Sequence, residues 1–134
     1  MKLTRIAFLL LIAFAVIQPV FAQSDQPLAI VMTADGPIMP PMLEYFKRGI
    51  ATAEQRNAEV LIIQLNTPGG SMETMLEMIQ VIRASSVPVV VYVSPNDAIA
   101  GSAGALITMA GHASAMAPRT AIGAASPIDS SGAD

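Results

Sequence analysis

Two short glycine-rich stretches carry features that are typical of a catalytic site. Residues 98 to 111, AIAGSAGALITMAG, surround Ser102 with small residues and continue into an apolar helical pattern, while residues 67 to 71, TPGGS, precede a second helical pattern. Consecutive glycines leave backbone N–H groups uncovered, and the N-terminus of a helix favours negative charge. Together the stretches predict a nucleophilic serine facing an oxyanion hole, which stabilises a transition state by roughly 3 kcal/mol for each donor.

Both stretches also have ordinary interpretations. A Pro-Gly-Gly sequence is most often a simple turn, and serine before a helix is most often an N-cap. Gly101-Ser102-Ala103-Gly104 also differs from the G-x-S-x-G elbow of the α/β-hydrolases, because a glycine directly precedes the serine. Residue types and spacing therefore leave catalytic and structural roles open.

The elements around these stretches predict where they lie. Apolar runs at 27–32, 59–65, 87–93 and 113–117 predict strands. Helices are predicted from the spacing of apolar residues at 42–53 and 72–82, the latter capped by Ser71, and from just after Ser102 to near Gly111. This alternation predicts a mostly parallel sheet with right-handed crossovers, whose strand-to-helix loops share the carboxyl edge.

Two finer expectations concern the core of this α/β domain. The run EVLIIQL at 59–65 predicts a strand buried on both faces. The nine methionines are expected to fill the core rather than to bind metal. The second helix is expected to bury the stripe formed by Met72, Met75, Leu76, Ile79 and Ile82.

Residues 1–22 have the pattern of a signal peptide. Lys2 and Arg5 precede an apolar run, and Val20-Phe21-Ala22 places small residues where cleavage is expected. An uncleaved anchor is the alternative, although the apolar run is shorter than the ~20 residues that span a bilayer. Export is expected in either case, leaving one domain over 23–134. Its polar ending, SPIDSSGAD, predicts that this domain is incomplete at the C-terminus.

Composition excludes several classes of partner. The chain has seven basic and ten acidic residues, and two of the basic ones lie in the signal segment. Nucleic acid is therefore excluded, because phosphate binding needs clustered Lys and Arg. The absence of cysteine excludes a disulfide scaffold and cysteine-ligated metal, and no cofactor or metal is predicted.

Two longer segments resemble a known family over residues 27–128. LNTPGGSMETMLEMIQVIRASSVPVVVYVSP and AIAGSAGALITMAGHASAMAPRTAIGAASPI are similar to the protease domain of NfeD-type membrane serine proteases, relatives of ClpP and the signal peptide peptidases. The resemblance implies a ClpP/crotonase-like β-α superhelix with a mostly parallel sheet, and peptide cleavage by a serine–lysine dyad. It assigns the nucleophile to Ser102 and oxyanion donors to the amides of Gly69 or Gly70 and of Ala103. It further assigns substrate binding to Thr67, Pro68 and Gly101.

The same resemblance implies a cellular setting. Some relatives cut hydrophobic segments of stomatin-like membrane proteins, and full-length relatives continue into transmembrane helices and a small β-barrel domain. The expected location is therefore periplasmic or extracytoplasmic and membrane-associated. A homo-oligomer is also implied.

The sequence offers no convincing general base. Lys47 lies on the polar face of the first predicted helix beside Arg48, and the family's lysine lies beyond the GAASPI segment, about where this sequence ends. His112 would lie roughly 15 Å from Ser102 along the same helix. Asp97 and Asp129 are candidates to bind a cation or to orient a base. The chain is accordingly expected to be inactive by itself.

Three functions follow from these observations. The leading hypothesis is a serine endopeptidase domain that stops short of its lysine. The alternative is a non-catalytic module that binds peptides or acts as a scaffold at the membrane. A crotonase-type acyl-CoA enzyme is the third, and it is less favoured because an acidic, exported domain does not suit a CoA ligand.

Overall fold

Residues 26–125, the range that the computed structural model describes, alternate between strands and helices. The strands are β1 (Ala29–Asp35), β2 (Val60–Asn66), β3 (Val89–Val93), β4 (Ile99–Gly101), β5 (Ala113–Met116) and β6 (Ala121–Gly123), and the helices are α1 (Pro40–Gln55), α2 (Met72–Ala84) and α3 (Ala103–Ala110). The expected signal segment 1–22 and Asp129 lie outside this range. Within it, no helix is both long and apolar enough to cross a membrane.

Four strands form a parallel sheet in the order β1-β2-β3-β5, which confirms the predicted α/β fold. Ile63 at its centre pairs with Met32 of β1 and Val91 of β3. Each crossover moves the chain in the same direction across the sheet. Because such crossovers share one hand, α1, α2 and α3 lie side by side on a single face, with α2 in contact with both neighbours.

The expectation that β2 is buried on both faces is wrong. Leu61, Ile63 and Leu65 point toward the helices and are completely buried. Ile62 and Gln64, on the opposite face, are only partly buried, and the neighbouring Val31 is 55% exposed. The reason is that all three helices cover the same face, so the described residues leave the other face open.

Helix α2 has the predicted cap but buries a different stripe. The Ser71 hydroxyl accepts a hydrogen bond from the Thr74 backbone N–H at 3.3 Å, as an N-cap should. Met72 and Leu76, both expected in the core, are 60% and 51% exposed. The buried stripe is rotated because α2 packs between two helices as well as on the sheet; it consists of Thr74, Met75, Met78 and Ile82.

The prediction that the methionines fill the core is also only partly right. Within the described range Met32, Met75 and Met78 are buried. Four others are exposed because they lie at helix ends, on outward helix faces or on the edge strand β5; these are Met39, Met72, Met109 and Met116.

A second small layer lies beyond the carboxyl end of the main sheet. β4 and β6 pair in parallel, and single bridges add Thr67 beside Ala100 and Gly70 beside Ile38. The sequence analysis missed β4 and β6, since three-residue strands of mostly small residues give no apolar run. This layer is the part of the fold that carries the two glycine-rich stretches.

An exposed ion pair joins the turns that lead into the second layer. The Arg119 guanidinium donates from Nε to Oδ1 of Asp97 at 2.8 Å and from Nη2 to Oδ2 at 2.9 Å. The hydrogen bond from Arg119 lowers the pKa of Asp97 below its ordinary value. Asp97 precedes β4 and Arg119 precedes β6, so the pair fixes the two turns relative to each other.

Candidate active site

Thr67 directly follows strand β2 and pairs with β4 of the second layer. Its N–H donates to the Ile99 carbonyl at 2.7 Å, and its carbonyl accepts from the Gly101 N–H at 2.9 Å. The segment that follows β2 is thereby held alongside β4. This pairing brings residues 67–70 next to the stretch that contains Ser102.

Gly69 lies directly against Ser102. Gly69 has φ +112°, and an ideal Cβ built on it would lie 2.7 Å from the Ser102 Cβ and 3.3 Å from the Ser102 Oγ. Since real Cβ atoms do not approach so closely, only glycine fits at position 69. The two glycine-rich stretches therefore meet in space at the serine hydroxyl.

Ser102 has a strained backbone. Its φ of 49° and ψ of −117° lie in a region that residues other than glycine rarely adopt. Two hydrogen bonds hold this conformation: the Ser102 N–H donates to the Gly123 carbonyl at 2.7 Å, and the Ser102 carbonyl accepts from the Ala105 N–H at 3.0 Å. Strain of this kind occurs preferentially at functional sites.

The serine hydroxyl does not cap helix α3. Ser102 is the residue before Ala103, yet no hydrogen bond from the helix to its side chain is found among residues 26–125. The N-cap interpretation of Ser102 therefore does not describe this structure. Its hydroxyl, which belongs to a half-buried residue beside Gly69, is left for another partner.

The backbone N–H groups near the serine differ in their availability. The Gly69 N–H donates to the Thr67 Oγ1 at 3.1 Å, and the Gly69 carbonyl accepts from the Ile38 N–H at 2.8 Å. Within the described range, neither the Gly70 nor the Ala103 N–H has a hydrogen-bond acceptor. The C=O and N–H of a trans peptide point in opposite directions. The Gly70 N–H therefore points away from Ile38.

The three residues expected to bind substrate occupy different environments. Thr67 is completely buried, so its side chain has no exposed surface in this structure. Instead its hydroxyl bonds to Gly69, and its methyl group packs against Gly104. Pro68 is exposed and Gly101 is half-buried. Both of these remain accessible beside Ser102.

A shallow apolar depression adjoins the serine. Its volume is about 290 Å³, and strands β4 and β6 line it, including Ile99, Gly101, Ile122 and Gly123. Gly101 directly precedes Ser102, and Gly123 accepts the Ser102 N–H. Ser102 itself does not line the depression, which adjoins the serine through Gly101 and Gly123.

Lys47 has no geometry for a general base. Its ammonium lies 2.9 Å from a Glu44 carboxylate oxygen and 3.9 Å from one of Glu77, on the exposed surface of α1 and α2. The hydrogen bond to Glu44 raises the pKa of Lys47 above its ordinary value. A lysine that acts as a base needs the opposite shift, which burial away from acids produces.

His112 lies at the other end of helix α3 from Ser102. The helix has 8 residues and is about 12 Å long. The Nδ1 atom of His112 accepts the Val89 N–H at 3.1 Å, at the amino end of β3. The Asp97 carboxylate is paired with the Arg119 guanidinium. Residues 26–125 contain no group of three or more His, Cys, Asp or Glu placed to hold a metal ion.

Comparisons with known proteins show the family and the fold of this chain. The family described as NfeD1b, N-terminal domain, matches residues 31–134. A membrane-bound protease of Pyrococcus horikoshii is 40% identical over 124 residues, which is 92% of this chain and 27% of that protein. The chain therefore spans little more than a quarter of that relative.

Two solved structures share the fold, and both are described as a membrane-bound stomatin-specific protease. A serine-to-alanine mutant matches with TM-score 0.76 and 43% identity, over 77% of this chain and 50% of the solved one. A lysine-to-alanine mutant in complex with a substrate peptide matches with TM-score 0.76 and 41% identity, over 81% and 51%.

Proposed function

The chain belongs to the NfeD1b family, whose N-terminal domain it contains, and from this premise we propose that it is a ClpP-like serine endopeptidase domain over residues 23–134. Ser102 is the nucleophile of the proposed reaction. The observation that carries the proposal is the contact between Gly69 and a strained Ser102 whose hydroxyl caps no helix. A turn and an N-cap, the ordinary interpretations, account for neither feature.

The proposed chemistry is acyl transfer to serine. The Ser102 Oγ attacks the carbonyl carbon of a peptide bond, and its proton passes to a base. The carbonyl oxygen becomes an oxyanion that the N–H groups of Gly70 and Ala103 stabilise, as free donors at a helix start can. The C–N bond then breaks, the amine takes up the proton, and water hydrolyses the ester. Gly69, whose N–H is already bonded to Thr67, supplies space rather than a donor.

The proposed base is a lysine outside the described residues. Neither Lys47 nor His112 is placed to take the Ser102 proton, as their contacts with Glu44 and Val89 indicate. The resemblance to serine–lysine enzymes instead implies a lysine beyond the Gly123–Ala125 segment. The 134-residue chain alone is therefore expected to bind peptides but to cleave them very slowly.

The proposed substrate is a hydrophobic segment of a membrane-associated, stomatin-like protein. The stomatin specificity in the names of the solved relatives supports this class, and so does the apolar depression beside Ser102. We further propose export through residues 1–22 and a membrane-associated, extracytoplasmic location. Exposed apolar side chains on α2 and α3, such as Leu76 and Met109, support a homo-oligomer.

Cleavage of apolar peptides tests the proposal. The protein to use, called the longer protein below, is this chain extended by a segment that carries the lysine implied by the resemblance. Ser102→Ala should abolish cleavage. Ser86→Ala, a matched control in the exposed turn before β3, should retain it. Undiminished cleavage by the Ser102→Ala variant would exclude the proposed nucleophile.

The second candidate is a non-catalytic module that binds peptides or acts as a scaffold at the membrane. It is favoured by one observation: residues 26–125 contain no base beside Ser102. This hypothesis predicts that the longer protein binds apolar peptides in the micromolar range yet shows no labelling of Ser102 by a fluorophosphonate. Labelling of Ser102 faster than that of free serine would exclude it.

A further inference from the structure

We propose that Thr67 is a positioning residue whose hydroxyl aims the Gly70 N–H at the oxyanion. The inference rests on the proposed endopeptidase function and adds a residue that itself touches no substrate. Thr67 is completely buried and contacts both halves of the site, Gly69 through its hydroxyl and Gly104 through its methyl group.

The hydroxyl of Thr67 contacts both peptides of Gly69. Its Oγ1 accepts the Gly69 N–H at 3.1 Å and its O–H donates to the Gly69 carbonyl at 3.4 Å, while the Ile38 N–H donates to the same carbonyl at 2.8 Å. These bonds fix the peptide planes on either side of the Gly69 Cα. Since the plane between Gly69 and Gly70 is rigid, fixing its carbonyl on Ile38 turns the Gly70 N–H to the opposite side. That side faces β4 and Ser102, because β4 is the other neighbour of this segment.

The methyl group of Thr67 determines how close helix α3 approaches. An ideal Cβ on Gly104 would lie 2.4 Å from the Thr67 Cγ2, so the helix start packs on the methyl group with no room between them. Ala103, the neighbour of Gly104, carries the second proposed donor. The methyl group therefore contributes to packing of the helix, whereas the hydroxyl carries the proposed positioning role.

Two substitutions separate these roles. Thr67→Val keeps a methyl group against Gly104 but removes the hydroxyl that bonds to Gly69. The peptide planes on either side of Gly69 can then rotate more freely. Thr67→Ser keeps the acceptor and removes the methyl group. The hydroxyl role predicts that the valine variant loses oxyanion binding, whereas the serine variant retains most of it.

The experiment measures the affinity of the 134-residue chain for an apolar tripeptide boronate and for the same peptide ending in a primary amide. On binding, the Ser102 Oγ forms a bond to boron, the hydroxyl proton passes to solvent, and the boron becomes a tetrahedral anion. The ratio of the two dissociation constants, here called the boronate preference, reports oxyanion stabilisation separately from peptide binding. The position of this equilibrium does not depend on a general base, so the measurement can be made without the proposed lysine.

Thr67→Val should lower the boronate preference by about tenfold or more, in line with the loss of one oxyanion donor, and change amide binding by less than about threefold. Thr67→Ser should keep the preference within about threefold of the parent. Equal preference in the valine variant and the parent, or parallel loss of both affinities, would overturn the role of Thr67. If the parent chain shows no boronate preference and Ser102→Ala does not change its affinity for the boronate, the proposed function is overturned instead.

Discussion

Gly69 and Ser102 are packed so closely that no side chain fits at position 69. The ideal Cβ position of Gly69 lies 2.7 Å from the Ser102 Cβ and 3.0 Å from the Gly101 carbonyl oxygen. The contact joins the end of β2 to the start of α3. Any change that separates these two elements should therefore move the serine relative to the Gly70 N–H.

Gly69→Ala is expected to destroy the site. Alanine at φ +112° is strained by about 1–2 kcal/mol, and its methyl group would add an overpacking penalty of about 1–3 kcal/mol against Ser102. The boronate preference should disappear. Gly36→Ala is the matched control, because Gly36 has φ +122° but no atom within 4 Å of its ideal Cβ. Chemical denaturation of Gly36→Ala should show a similar loss of unfolding free energy from backbone strain, while the boronate preference is kept. An equal loss of boronate preference in both variants would contradict the importance of the contact.

Gly104→Ala should destabilise the domain although alanine normally stabilises a helix. The usual gain is about 1 kcal/mol, and overpacking against the Thr67 methyl group should reverse it to a net loss of about 1–2 kcal/mol. In a Thr67→Ser background the methyl group is absent, so the same substitution should be neutral or stabilising. A double-mutant cycle by urea denaturation measures the coupling. Additive effects would show that Thr67 and Gly104 are not in contact.

The Asp97–Arg119 pair should make stability depend on acid pH. Arg119 lowers the pKa of Asp97 below its ordinary value of 3.8. A group with a lowered folded pKa stabilises the protein fully above the unfolded pKa, and the contribution is lost as the pH falls through the folded value. Thermal unfolding should therefore show a steeper loss of Tm below about pH 4 in the parent than in Asp97→Asn.

Asparagine is a suitable replacement because it tolerates the positive φ of Asp97, which is 67°. Arg119→Gln is the companion variant, since it removes the other partner. It should flatten the same part of the pH curve. Curves that remain parallel for parent and both variants would show that the ion pair contributes nothing to stability.

Lys47→Met and His112→Ala should leave the boronate preference unchanged. Lys47 is paired with Glu44 on the surface, and the His112 Nδ1 accepts a hydrogen bond from Val89. His112→Ala removes that acceptor and should lower stability by about 1–3 kcal/mol, because Val89 is completely buried. Both variants should also keep the peptidase activity of the longer protein. A large loss of activity at unchanged Tm would identify either residue as the missing base.

Leu76→Ser should weaken self-association without unfolding the chain. The Leu76 side chain is 51% exposed on α2, so its loss removes little buried area from the monomer. Met78→Ser is the contrasting variant, because Met78 is completely buried and its loss should lower Tm. Analytical ultracentrifugation measures the first effect. A parent that is already monomeric at high concentration would contradict the proposed oligomer.

Residue pattern predicted the main sheet and helices because long apolar runs report burial directly. The run at 59–65 corresponds to β2, and the small residues after Ser102 correspond to α3. The same pattern overestimated burial of Ile62 and Leu76. Whether a second layer covers a strand or a helix face depends on the direction of the crossovers, which local periodicity does not encode.

The candidate site was only partly predictable for a similar reason. Glycine spacing and the family resemblance pointed to Ser102, Gly70 and Ala103. They did not reveal β6, whose Gly123 carbonyl holds the Ser102 N–H, nor the inward position of Thr67. Both depend on contacts between residues distant in sequence. A threonine before Pro-Gly-Gly was the one local signal, since its hydroxyl can bond two residues onward.

The segment from Thr67 to Gly70 follows β2 without an intervening hinge. Thr67 is paired with Ala100, and Gly70 with Ile38, so both sides of the segment are anchored to its neighbours. The proposed oxyanion donor therefore lies in a segment held by bridges at both ends rather than in a movable flap. Hydrogen–deuterium exchange at Gly69 should follow the slow rate of the central strand, and release of a cleaved peptide must rely on motions elsewhere in the protein.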